Sequence, residues 1–295
     1  MPSLKDIKRH ISAVKQTQKL TRAMNMVAAA KLRSTQNRAE RFRYYADEHE
    51  RLIDEIAERS ELEACSLLQA VENSDNSLIV VISSDRGLCG SFNANVFSTV
   101  DKLYLSQLEA DLDPELYLVG RKSRDYYHRR KVAIKEEIVG RMGDVDYPLA
   151  QRIARELIKE YVEGRYKEIW VVYTSFVSVT RFKVEAERFL PLGPTEPAKT
   201  KAVGPNPTVV DFMIEPKADV LLSRLIPRSL TILIYRALLD SVTSENAARM
   251  QAMDNASKSC KDIIESLTMA YNKARQAAVT SELLDIVNGS EALQG

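Results

Sequence analysis

The sequence predicts an α/β protein in which a central, mainly parallel sheet is flanked by two long terminal helices that pair as an antiparallel, left-handed coiled coil. Three observations carry this expectation. Glycine and proline are almost confined to the middle of the chain. Apolar residues recur at alternating spacings of three and four towards both ends. Short β-branched runs alternate with helical segments in between.

All ten glycines, and every proline but Pro2, lie from Gly87 onward, and neither residue occurs between Arg228 and Asn288. Glycine and proline are the strongest helix breakers, so their absence marks two long helices. In the first, Leu4, Ile7, Ile11, Val14, Gln18, Thr21, Asn25, Ala28, Leu32, Thr35, Ala39, Phe42, Ala46, His49, Ile53 and Ile56 form a heptad seam, eleven of the sixteen being apolar. A seam of ~54 residues makes a helix of roughly 80 Å. The last helix, ~60 residues by the same pattern, repeats the rhythm at Leu239, Thr243, Asn246, Met250, Met253, Ser257, Cys260, Ile264, Leu267, Tyr271, Ala274 and Ala278. Neither helix is stable alone in water, so each covers the other's seam. A sustained period of 3.5 gives a left-handed supercoil. Polar seam positions cost stability and set register. The many alanines (Ala28–Ala30, Ala247, Ala248, Ala252, Ala256) keep the rod slim.

The middle alternates strand and helix. Strands are expected at 77–84, 116–120, 132–140 and 169–176, with a last, edge strand at 181–192. Helical periodicity covers 93–112 and 148–166, the second opening on Pro148. Such alternation implies a Rossmann-like α/β layer structure. The stretch 193–207, with four prolines and two glycines, reads as a linker or loop. The expected division is therefore a coiled-coil helix over 1–60, an α/β domain over 61–215 and a second coiled-coil helix over 216–295.

Composition excludes several functions. With a net charge of +1 over 295 residues, no global field points to nucleic acid. Three dispersed cysteines argue against a disulfide framework and fit a reducing compartment. The isolated His10, His49 and His128 read as structural residues, and no spacing suggests a metal site. The most apolar run, 230–239, is interrupted by Thr231, Tyr235 and Arg236, so no segment is expected to cross a membrane. There is no secretory leader pattern after Met1.

Two local features bear on chemistry. "SSDRGLCGSFN" (83–93) follows a buried strand and opens a helix, where α/β proteins often hold phosphate. It lacks the dinucleotide and P-loop glycine patterns, and the alternative is a tight structural turn in which Gly87 and Gly90 supply unusual backbone angles. Cys89, at that helix start, has no histidine near it in sequence to make a catalytic dyad. The second feature is charge. Residues 1–38 carry nine Lys/Arg against Asp6 alone, whereas 40–63 carry nine acids against four arginines. The basic half suits an acidic partner surface. A nucleic-acid arm is the competing reading, but that half-helix lacks interleaved aromatics.

Four segments, "IKRHISAVKQTQKLTRAMNMVAAAKLRSTQ" (7–36), "SSDRGLCGSFN" (83–93), "SENAARMQAMDNAS" (244–257) and "YNKARQAAVTSELLDIVNGSEA" (271–292), resemble the gamma subunits of F-type ATP synthases. The resemblance runs through the whole chain in order, and the pattern V-T-x-E-x-x-D-x-x-x-G at 279–289 is its most specific part. The family usually continues Gly-Ala at the end of that motif; here Gly289 is followed by Ser290 and Glu291. The resemblance implies a non-catalytic rotor shaft with no cofactor, turning inside a ring of alpha and beta subunits. It implies that the α/β domain lies beside the epsilon subunit and the membrane c-ring. It places Met24 and Arg249 opposite the lower part of the beta subunits, and Arg275, Gln276, Thr280 and Glu282 against a beta-subunit loop higher up. No cysteine occurs in 193–207, so the thiol switch of plant-type relatives is not expected. The early start of the family motif suggests a bacterial protein, peripheral on the cytoplasmic face of the plasma membrane.

Overall fold

The structure is a computed structural model, and it describes residues 3–57, 67, 71, 74–192 and 218–292. The expected loop at 193–207 and Cys65 lie outside the described residues. The chain divides into two compact units, residues 1–30 with 249–295, and residues 31–248. Helix α1 (Leu4–Ala57) and helix α5 (Ala218–Ala292) contribute to both.

Helix α1 begins at a reciprocal cap. Ser3 Oγ accepts from the Asp6 backbone N–H at 3.2 Å, and Asp6 Oδ2 accepts from the Ser3 N–H at 3.3 Å. The helix then runs 54 residues, the length expected from its seam. In the first unit, α1 and α5 pair antiparallel: Gln18 lies against Ser257 and Asn25 against Met250. Seam positions are buried or half-buried in both helices, while their neighbours are largely exposed. Helix α5 has 75 residues, longer than the periodicity suggested, because it starts upstream of Pro227 and carries that proline inside it. From Ile226 to Val242 the helix is packed into the sheet's core, and tertiary burial outweighs the lost N–H.

The second unit holds a five-stranded sheet: β1 (Asn76–Ile82), β2 (Asp113–Val119), β3 (Ile134–Ile138), β4 (Glu168–Ser178) and β5 (Arg181–Leu190). The order is β3-β2-β1-β4-β5; the first four strands are parallel and β5 is an antiparallel edge strand. Helices α2 (Phe92–Glu109), α3 (Arg121–Tyr127) and α4 (Tyr147–Val162) complete it. Alternate residues of β1 serve two cores. Ile79 and Val81 meet Val96, Phe97 and Val100 of α2 and Tyr127 of α3. Leu78, Val80 and Ile82 share the other core with Ile153 and Leu157 of α4 and with Leu230, Ile234 and Leu238 of α5. Asp146 caps α4 by accepting from the Leu149 N–H at 3.0 Å, and Pro148 sits in the first helical turn, where its missing N–H costs nothing. The short α3, which shows no apolar period, was not expected from the sequence.

Candidate functional site

The coiled coil of the first unit is held in register by polar side chains rather than by bulk. Asn25 Nδ2 donates to the Met250 carbonyl at 2.8 Å, and Gln18 Nε2 donates to the Ser257 carbonyl at 3.3 Å. Each bond spans the two helices, so a slip along the axis breaks both. Thr21 turns back to the Gln18 carbonyl of its own helix at 3.0 Å. Beside these bonds lies a groove of about 230 Å³ walled by Arg22, Lys258 and Lys261, with one acid, Asp254, paired to Lys258 at 2.7 Å. Lys258 and Lys261 were not singled out from the sequence. Only the register set by Asn25 and Gln18 brings them beside the basic half of α1.

Each expected contact residue has a definite place in this unit. Met24 is half-buried beside the seam, and Arg249 is half-buried within one turn of Met250. Arg275, Gln276, Thr280 and Glu282 are exposed on α5, the Thr280 hydroxyl donating to the Gln276 carbonyl at 2.9 Å. The register puts the start of α1 opposite the neighbourhood of Tyr271, so α5 runs on to Ala292 without α1 beside it. Its apolar side chains there, Val279, Leu283, Leu284 and Ile286, are at least half exposed. A helix with that much uncovered apolar surface is built for a partner. The side chains of Ser290 and Glu291 lie outside the described residues.

The 83–93 turn has another character. Of its two glycines only Gly90 has a left-handed backbone (φ 58°); the second such residue is Leu88 (φ 64°), not Gly87. Thus Gly87 does not supply the unusual angle expected of it, and an exposed Leu88 does. The turn is pinned internally. Asp85 Oδ1 accepts from the backbone N–H groups of Arg121 and Gly140, both at 2.9 Å, and Oδ2 from that of Met142 at 2.9 Å. One carboxylate thereby ties the end of β1 to the segments that follow β2 and β3. Asn93 accepts from the Ser84 N–H at 3.1 Å and donates to Cys89 Sγ at 3.2 Å. The buried Cys89 and Phe92 pack on Phe182 and on Ala248 of α5, so protein fills the crevice at this end of β1. Gly120 is required next door: its φ is 108° and a Cβ there would stand 2.3 Å from the Ser83 carbonyl oxygen. The turn is a structural lock within the second unit.

Two of the histidines have a polar neighbour, although the buried Nε2 of His49 has no hydrogen-bond partner. His49 is buried, 3.4 Å from the Ser229 hydroxyl, and its pKa is lowered by burial and by Arg228. His128 pairs with Glu137. Among the described residues, no group of three His, Cys, Asp or Glu is placed to hold a metal ion, and no helix is long and apolar enough to cross a membrane.

Comparison with known proteins agrees with this arrangement. The ATP synthase family profile matches residues 3–293. The ATP synthase gamma chain of Nitratidesulfovibrio vulgaris (Hildenborough) is 42% identical over 295 residues, covering all of both chains. That of Syntrophus aciditrophicus is 39% identical over 298 residues, covering 99% of each. Among solved structures, the central stalk/c-ring of the Tetrahymena thermophila mitochondrial ATP synthase contains a chain 25% identical, with a TM-score of 0.59, covering 81% of this chain and 99% of that one. A chain of the Euglena gracilis mitochondrial ATP synthase, 19% identical, has the same fold, with a TM-score of 0.69 over 98% of this chain and 94% of that one. Coiled coil, sheet order and full-length kinship lead to one conclusion: the chain belongs to the ATP synthase gamma chain family.

Proposed function

We propose a division of labour within this chain, which is a non-catalytic central-stalk rotor subunit of an ATP synthase. The coiled coil is the working shaft, and its polar-keyed register is the observation that carries the reading. Met24, Arg249 and the Arg22–Lys258–Lys261 groove face the lower parts of beta subunits. Arg275, Gln276, Thr280 and Glu282 engage a beta-subunit loop higher up, and the bare apolar stretch after Val279 runs within the ring of alpha and beta subunits. The α/β domain, drawn as 61–215, meets the epsilon subunit and the c-ring. In a bacterium this places the chain peripherally on the cytoplasmic face of the plasma membrane.

The mechanism follows from differential binding. A shaft shifts a beta subunit between conformations only by as much as it contacts them unequally. An asymmetric two-helix rod presents a different surface to each beta subunit as it turns. Contacts that form and break each cycle are best individually weak, as exposed ion pairs are, at about 0–1 kcal/mol. Met24→Lys in the assembled complex tests this, because it puts a new cation into a contact between shaft and ring. Hydrolysis is expected to persist while proton pumping per ATP falls. Unchanged pumping per ATP would count against the Met24 contact.

A further inference from the structure

Strand β4 outruns its parallel neighbour. The last β1–β4 pair is Val81 with Val172, and β4 continues to Ser178 with only β5 beside it. Beyond Val172 the edge of β4 that faced β1 has lost its strand partner, and the backbone groups of Thr174 and Phe176 follow on that edge at the two-residue period of a strand. Side chains of α5 meet them there. The Thr174 N–H donates to Ser241 Oγ at 3.2 Å, and the Thr174 carbonyl accepts from Ser244 Oγ at 3.4 Å. The Phe176 backbone N–H lies near the Asp240 carboxylate and favours its charged form. All three side chains come from α5.

We propose that Asp240, Ser241 and Ser244 form a strand-mimicking clamp: they take the hydrogen-bonding places that β1 leaves vacant on β4, and so lock α5 to the sheet against sliding and rotation when torque passes through the shaft. The torque role rests on the rotor reading; the clamp itself rests on geometry alone.

Apolar packing around this stretch is extensive but non-directional, and by itself lets a helix turn or shift by small steps. Hydrogen bonds from fixed side chains to a strand edge do not. Every residue from Ala237 to Ala248 is buried, and Ser241 and Ser244 are completely so. Unpaired polar groups at such depth would be costly, and the β4 backbone would be left equally unpaired. Helix propensity does not call for serine here. Neighbouring polar residues behave differently: Thr243 and Asn246 bond the Leu239 and Val242 carbonyls of their own helix, at 2.7 and 2.8 Å, and do not reach the sheet. Asp240 is the charged member. It is faced by Arg236 from α5, Arg43 from α1 and Glu185 from β5. The last residue of the clamp stretch, Ala248, packs on Cys89 and Phe92 of the 83–93 lock.

The test uses the whole ATP synthase complex in vesicles, with wild type, Ser241→Ala and Ser241→Ala/Ser244→Ala. Hydrogen exchange at the Thr174 amide should rise roughly tenfold in both variants, the loss of about one buried hydrogen bond. Proton pumping per ATP hydrolysed should fall further in the double variant than in the single, with hydrolysis retained. Unchanged exchange overturns the clamp. Raised exchange with unchanged pumping per ATP overturns its torque role. A wild-type complex that hydrolyses ATP without turning this chain would instead sink the rotor reading. If the double variant fails to assemble, Ser241→Cys, close in size but a weaker partner for the amide, carries the same comparison.

Discussion

Helix α5 is built on two plans. Between Ala237 and Ala248 it is buried on every side, whereas between Ser257 and Ala278 only its three-and-four seam is covered. The first stretch is an anchor, in which apolar area and fixed hydrogen bonds hold one geometry. The second is a working surface, in which small and polar seam residues fix register and leave the rest of the circumference free. The difference shows that one continuous helix can be covered on all sides in one unit and along a single seam in the other without any break in its backbone.

That contrast can be broken in graded ways. Leu238, fully buried in the anchor, should be the most sensitive: Leu238→Ala is expected to cost about 2–5 kcal/mol in denaturant unfolding of the full chain. Gly120→Ala should be severe as well, because it strains a φ of 108° and drives a Cβ into the Ser83 carbonyl. A loss of less than about 1 kcal/mol would show the turn to be far softer than its geometry implies.

The buried Asp240 gives the anchor a pH dependence. Burial raises its pKa from 3.8 to about 6, against the lowering pull of Arg236, Arg43 and the Phe176 N–H. Between those values the folded chain holds a proton that the unfolded chain has lost. The contribution to stability is therefore full below about pH 4 and declines until about pH 6, by on the order of 3 kcal/mol. Asp240→Asn keeps an acceptor for Phe176 and removes the titration. Unfolding curves of wild type and variant should converge towards pH 4 and diverge towards pH 7, with the variant the more stable there. Parallel curves would contradict the assignment.

Smaller effects belong to the working surface. Asn25→Ala removes one inter-helix bond and should cost about 1 kcal/mol by thermal unfolding. Lys258→Ala, whose pair with Asp254 is exposed, should leave thermal unfolding essentially unchanged. A large loss there would mean that the groove is structural rather than free for a partner.

Much of this architecture was legible in the sequence because it follows from local geometry. The seam from Leu4 to His49 coincides with buried and half-buried positions, since a 3.5-residue period admits only one covered face. All five strands were expected near their places and the last at an edge, although only β1 and β4 were marked by β-branched runs. What escaped depends on contacts distant in sequence. Nothing local announces that Asp85 will bind three N–H groups from two other segments, or that β4 outruns β1 and meets Ser241 and Ser244. The cations of the groove come together only once the two helices are in register. The angle expected of Gly87 falls on Leu88, because the neighbouring lock, not residue preference, dictates the turn.

The most direct test of the central claim is to watch this chain turn. A probe can be fixed to a cysteine at the exposed position 98, as Ser98→Cys, in a complex immobilised through its catalytic head. On addition of ATP the probe should rotate stepwise in one direction, and it should stop when hydrolysis is inhibited. A probe that stays still while the same complexes hydrolyse ATP would contradict the account.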